Sequence, residues 1–355
     1  MGRKITFVDL LGLIKDKASQ SKALILSKPN ALSLRLAVLH ATTHSPPAPP
    51  DDRRLSALLL LGDSSRATAS SIITALMDRL HRTGNSVVAL KCLLIIHNII
   101  KRGPFILQDQ LSIFPTAGGY NYLKLSSFRD GATAATWALS SWVRWYARYL
   151  ETLLSTSRVL GYFLCSSSCS MVKEHQEQRI SSLLNVDLIR DVDSIVLLTE
   201  ETCKAPDCLL VEDNILVKEI MALLLNDYLS AVNGISLRLG ELNERLSHLS
   251  FRDSVELACA LKRLQDCRER LSVLYIVKKP SIEMLWCSVQ ELIDGIGVLK
   301  VCKEDGKLLS LEKASESARF ERRVTKTGGS VKFQSGRFEL NRFSSFLVLD
   351  ESVVE

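Results

Sequence analysis

Residues 87–100 limit what this chain can become more than any other stretch. They form the longest apolar run in the sequence, yet they include Lys91, His97 and Asn98. The run falls short of the ~20 residues that a helix needs to cross a bilayer. A helix that is apolar on all sides must be wrapped by other helices. The segment therefore reads as a core helix, and any membrane contact the chain makes is peripheral. Material for such a core is plentiful: 46% of the 355 residues are apolar, a proportion that excludes wholesale disorder.

The helical period extends along most of the chain. Phe7–Leu26 is amphipathic, with Leu10, Leu11 and Ile14 set against Lys15, Asp16 and Lys17. Asn30 can cap a second helix over 31–43. Pro46, Pro47, Pro49 and Pro50 stop it, because proline lacks the amide donor and clashes with the preceding turn. A short helix over 53–61 ends at Gly62, and another over 65–82 is broken by Gly84 and Asn85. The core helix, 87–101, closes at Gly103 and Pro104. Residues 105–131 read as irregular. In a long helix over 132–154, Trp142, Trp145, Tyr146 and Tyr149 share one stripe, the pattern of a core and not of a ligand cage. Small residues at 165–170 make a linker, and helices return at about 175–204, 212–239, 241–249, 252–273 and 281–294. No convincing sheet is visible. Helix after short-linked helix predicts an all-α fold wound into a right-handed superhelix, a relative of solenoids.

Glycines and isolated aromatics interrupt the period in the last sixty residues. Arg319, Arg322, Arg323, Lys326, Lys332, Arg337 and Arg342 outnumber the acids there, so 296–355 reads as a flexible basic tail. The net charge of +6 is too small to argue for nucleic acid. Residues 1–40 carry seven basic side chains, among them Lys22, Lys28 and Arg35, against Asp9 and Asp16. The nine cysteines are scattered, with no Cys-x-x-Cys pair, and fit reduced thiols of a cytosolic protein.

Three ordered segments carry a resemblance. The first is Gly12-Leu13-Ile14-Lys15-Asp16 followed by Leu36-Ala37-Val38-Leu39-His40-Ala41-Thr42-Thr43-His44. The second runs Val88-Ala89-Leu90-Lys91-Cys92-Leu93-Leu94-Ile95-Ile96-His97. The third pairs Phe128-Arg129-Asp130 with Trp142-Val143-Arg144-Trp145-Tyr146-Ala147-Arg148-Tyr149-Leu150-Glu151. In order and spacing they resemble the ENTH/ANTH clathrin-assembly proteins, especially the plant branch, over roughly residues 5–295. The resemblance implies a membrane-adaptor module without cofactor, metal or catalytic residue. Its lipid-binding half would span 1–160, a Ser-rich linker 161–174, and a second helical half 175–295. It implies binding to phosphatidylinositol 4,5-bisphosphate, to SNARE proteins and to clathrin heavy chain, by a monomer. The expected place is the cytosolic face of coated pits, coated vesicles or the Golgi apparatus.

The family's lipid site resembles a lysine, nine residues, then Lys-x-Lys/Arg-His. Here those positions hold His40, Asp51, Arg53 and Arg54. Two arginines and one histidine suit a multiply charged headgroup, but Asp51 and Asp52 repel phosphate. The expected headgroup contacts are His40, Arg53 and Arg54, with Lys22 and Lys28 flanking. A degenerate clathrin box, Phe346-Leu347-Val348-Leu349-Asp350, lies near the end of the chain. A closer match, Leu183-Leu184-Asn185-Val186-Asp187, falls in the helical region, where a structural role is expected.

Competing motifs are thinner. His40 and His44 stand one helical turn apart, a zinc-compatible spacing, but residue 41 is Ala where a metalloprotease needs Glu, and no third ligand follows. His97, inside the apolar run, reads as a satisfied core histidine. Met1 to Thr6 match the spacing of a myristoylation signal in poor context. The rival function is a pure interaction module that holds a SNARE or another helix over about 212–294, with its lipid site lost.

Overall fold

The computed structural model describes residues 7–26, 29–113, 122–166, 173–207, 213–275 and 279–304. The tail beyond 304, including Phe346, Leu347, Leu349 and Asp350, lies outside the described residues, as do Met1 to Thr6 and Lys28. All regular structure among the described residues is helical: α1 (Phe7–Leu26), α2 (Pro29–Ala41), α3 (Asp52–Asp63), α4 (Arg66–Arg82), α5 (Ser86–Arg102), α6 (Phe105–Ser112), α7 (Ala134–Leu160), α8 (Lys173–Ser181), α9 (Asn185–Cys203), α10 (Ile215–Glu244), α11 (Phe251–Asp266), α12 (Arg268–Leu274) and α13 (Pro280–Glu304), with a 3-10 turn at Leu246–His248.

Side-chain caps explain many of the starts. Ser65 accepts from the Thr68 amide and Asn85 from the Val88 amide, both at 3.1 Å. Thr133 and Thr136 form a reciprocal capping box at the head of α7. That helix ends on Gly161, whose φ of 75° is the left-handed conformation glycine adopts without a Cβ penalty.

Several expected boundaries move, each for a local reason. Helix α2 begins on Pro29, not after an Asn30 cap; a first-turn proline gives up no hydrogen bond. Gly62 lies inside α3 and not past its end. A Cβ there would stand 2.8 Å from Leu107, so the glycine serves the packing of α3 on α6. Helix α6 itself falls in the stretch read as irregular. Pro104 starts it, and Leu107 and Leu111 bury against the core. The expected helix over 175–204 is two, α8 and α9, while α10 continues through Gly240. Cys267 separates α11 from α12, and α13 runs past residue 296, so the first residues assigned to the tail are helical.

The helices form the expected right-handed superhelix. Many pack on the second one after them: α2 on α4, α4 on α6, α5 on α7, α7 on α9, α9 on α11 and α11 on α13. Helix α10 closes the stack and touches α5, α8, α9 and α13. Residues 86–100 of α5 are all buried, as a helix apolar on every side must be. The stripe of α7 completes this core, with Trp142, Trp145, Tyr146 and Tyr149 at most 2% exposed.

An amphipathic helix ordinarily buries its apolar side, and α1 does the reverse. Gly12, Asp16 and Ala23 face inward, while Leu10, Leu13, Ile14, Leu24 and Ile25 are 46–81% exposed. The reason is polar. Asp16 is held by His44 and Arg79, and at Gly12 a Cβ would lie 3.2 Å from the His44 Cβ.

Candidate functional site

The turn between α2 and α3 carries the residues that the sequence singles out. Its four proline rings leave few amides to bond with, so other elements must hold its carbonyls. Arg54, in the first turn of α3, donates from Nη1 to the His40 carbonyl at 2.7 Å. Arg79 of α4 donates to the Thr42 carbonyl at 3.1 Å. Lys91, reaching out of α5, donates from Nζ to the Thr43 carbonyl at 2.9 Å and to the Pro46 carbonyl at 2.8 Å. Asp16 of α1 accepts from the His44 amide at 3.0 Å and lies 2.6 Å from His44 Nδ1. Four helices thus converge on one irregular turn.

This concentration of cations has electrostatic consequences. Burial pulls the Lys91 ammonium down to about 8, against the opposing pull of Asp16 and with help from nearby Arg54. Burial also lowers Arg79, while Cys92, enclosed beside it, is pushed up to about 12. Asp16 is the buried anion within this set of cations.

His40 and Arg54 are brought together and exposed, and Arg53 stands exposed beside them. Lys22 is exposed on α1, the helix that packs on α2. Arg35 is engaged with Asp78 at 3.4 Å. The acids that break the headgroup pattern have structural work. Asp51 caps α3 by accepting from the Arg53 amide at 3.2 Å, and Asp52 pairs with Arg102 at 2.9 Å. The pairing of His44 with Asp16 turns it away from a metal role, and the described residues hold no cluster of three or more metal-ligating side chains.

Sequence reading passed over Asp16, Arg79 and Lys91 as parts of this turn. Only Lys91 left a signal: a lone cation in an apolar helix needs buried acceptors, and the Thr43 and Pro46 carbonyls of the turn supply them. The helical clathrin-box match is a joint in the fold, as expected. Arg245 donates to the Leu183 carbonyl at 2.7 Å and to Asn185 Oδ1 at 3.0 Å, and Asn185 is buried.

A right-handed helical stack with an exposed cationic edge at its second turn defines a superhelical scaffold that presents charge at its surface. The chain belongs to the ANTH domain family, whose sequence profile matches residues 33–280. It is 49% identical to the Arabidopsis thaliana protein named Putative clathrin assembly protein At4g40080, over 97% of this chain and 98% of that one. Two further Arabidopsis thaliana proteins with the same descriptive name, At5g10410 and At5g65370, are 33% and 31% identical over 80% and 83% of this chain.

Proposed function

We propose that this chain is a peripheral adaptor that rests on an anionic membrane by the α2–α3 edge and helps assemble clathrin coats on the cytosolic face of coated pits and vesicles. The observation that supports the lipid half is that His40, Arg53 and Arg54 are all exposed, with Arg54 Nη1 bonded to the His40 carbonyl. Two arginines can each donate in bidentate fashion to phosphate, and the anionic leaflet adds long-range attraction. The outward apolar face of α1, with exposed Lys15, Lys17 and Lys22, extends this edge with groups suited to a lipid interface. The longest apolar helix is enclosed, and no helix among the described residues is long and apolar enough to cross a membrane.

The clathrin half rests on the names of the Arabidopsis thaliana relatives and on Phe346, Leu347, Leu349 and Asp350 as the docking segment. Flotation with vesicles containing or lacking phosphatidylinositol 4,5-bisphosphate tests the edge. We expect retention that needs the bisphosphate and falls at least several-fold in Arg53→Ala/Arg54→Ala. Equal retention in all arms would remove the site. Loss of residues 343–355 is expected to abolish capture by the clathrin terminal domain; unchanged capture would exclude that segment.

A further inference from the structure

Two thiols meet where α9 ends. Cys203 is the last residue of α9, and Cys267 is the single residue between α11 and α12. They are 64 positions apart, yet Cys203 Sγ lies 3.8 Å from the Cys267 carbonyl oxygen. Arg270 anchors the same corner by donating to the Cys203 carbonyl at 3.4 Å and to the Ala205 carbonyl at 3.1 Å. Cys203 is half-buried and Cys267 is 6% exposed, so a small oxidant can reach the pair at its outer edge.

We propose that Cys203 and Cys267 form an oxidative modification site, a dithiol that a peroxide closes into a disulfide joining α9 to the α11–α12 corner. The neighbouring Cys203 lowers the Cys267 thiol, with Arg263 adding to the effect against burial, Glu200 and Asp266, while the nearness of Cys267 and burial raise Cys203. Cys267 is therefore the nucleophile. Its thiolate attacks one peroxide oxygen; the S–O bond forms, the O–O bond breaks, and the expelled hydroxide takes up a proton as water. The Cys203 sulfur then attacks the Cys267 sulfenic acid; the S–S bond forms, the S–O bond breaks, and the oxygen leaves as a second water. Two thiols are oxidised and one peroxide is reduced, without any other reactant. The remaining described thiols behave differently. Cys92 and Cys165 are enclosed and their thiols are held protonated by burial, whereas Cys259 and Cys287 are exposed.

The test uses the full chain, reduced and then exposed to a slight excess of hydrogen peroxide. After alkylation and non-reducing digestion, mass spectrometry is expected to find the peptides of Cys203 and Cys267 joined. Closing a long loop should raise the melting temperature by roughly 5 °C or more, reversed by dithiothreitol. Cys203→Ser and Cys267→Ser should each lose that rise. Recovery of both peptides as alkylated thiols, or joined only to Cys259 or Cys287, overturns the proposal. So does the same rise in either serine variant.

Discussion

His97 Nε2 on α5 lies 2.7 Å from Asp227 Oδ2 on α10, and both side chains are buried to within 1%. The pair joins residues on either side of the linker near residue 165. Other groups complete it: Tyr149 donates to Asp227 Oδ2 at 2.7 Å, Lys101 to Oδ1 at 3.2 Å, and the Tyr146 hydroxyl meets His97 Nδ1 at 2.7 Å. A buried carboxylate with this many partners fixes how three helices dock.

Removing the charge from that carboxylate should therefore be costly. We expect Asp227→Asn to destabilise the fold by on the order of 3 kcal/mol, because it removes the buried anion on which His97, Lys101 and Tyr149 converge. A melting curve on the full chain checks it, and a shift within error would show that the network is not coupled to folding.

The same group sets an acid limit. Burial opposes ionisation of Asp227, but His97, Lys101 and the Tyr149 hydrogen bond outweigh it and hold the carboxyl at about 2. A folded pKa below the unfolded value contributes stability above about pH 4, and the contribution fades as pH falls toward 2. Its size is about 2 kcal/mol. The difference in stability between the natural chain and Asp227→Asn should narrow over that window, as read by unfolding at several pH values.

At the α2–α3 turn, Lys91→Met should remove the side-chain bonds to the Thr43 and Pro46 carbonyls and leave Pro46 only the Ala48 amide. Faster amide hydrogen exchange over residues 42–50 is expected, with little change in α7. The pH dependence has a definite sign. Folded Lys91 titrates near 8, below its ordinary range, so burial of the charge weighs against the fold at pH 7 and that handicap disappears as pH rises from about 8 to about 10.5. The natural chain should gain on Lys91→Met across this range.

Asp51→Lys tests two roles in one substitution. The chain would lose the N-cap of α3, at a cost of about 1 kcal/mol, and gain a cation beside Arg53 and Arg54. We expect a lower melting temperature together with several-fold stronger retention on bisphosphate vesicles. Stronger retention without a stability change would argue against the capping role.

On α1 the inward and outward faces should separate cleanly. Ile14→Glu, at a position 57% exposed, is expected to leave stability within about 0.5 kcal/mol while weakening vesicle binding. Asp16→Ala removes the partner of His44 and should destabilise the turn instead.

Much of this fold is legible in the amino-acid sequence. Residues 87–100 announce a central helix because nothing but other helices can surround them, and Gly84 and Asn85 mark the break before it, where Asn85 also caps the next helix. Gly62 misled because its reason lies across space, at Leu107. The exposed members of the edge, His40, Arg53 and Arg54, were legible through the spacing of a resembling motif. Asp16 and Arg79 were not, since their partners sit 28 and 37 positions away and no short-range pattern encodes such a pairing. The facing of α1 is not legible for the same reason: periodicity reports which residues share a side, and the partners of a buried aspartate on other helices decide which side turns inward.

The carboxylate that α10 lends to α5 also bears on how such a chain can be divided. A fragment cut after Leu160 would keep His97 and Lys101 but lose Asp227, and α7 would lose the cover of α9. The half that carries the α2–α3 turn is then not a transplantable part. Recombination that exchanged one half for a relative's would have to bring a matching acid with it, so the two halves are constrained to be inherited together.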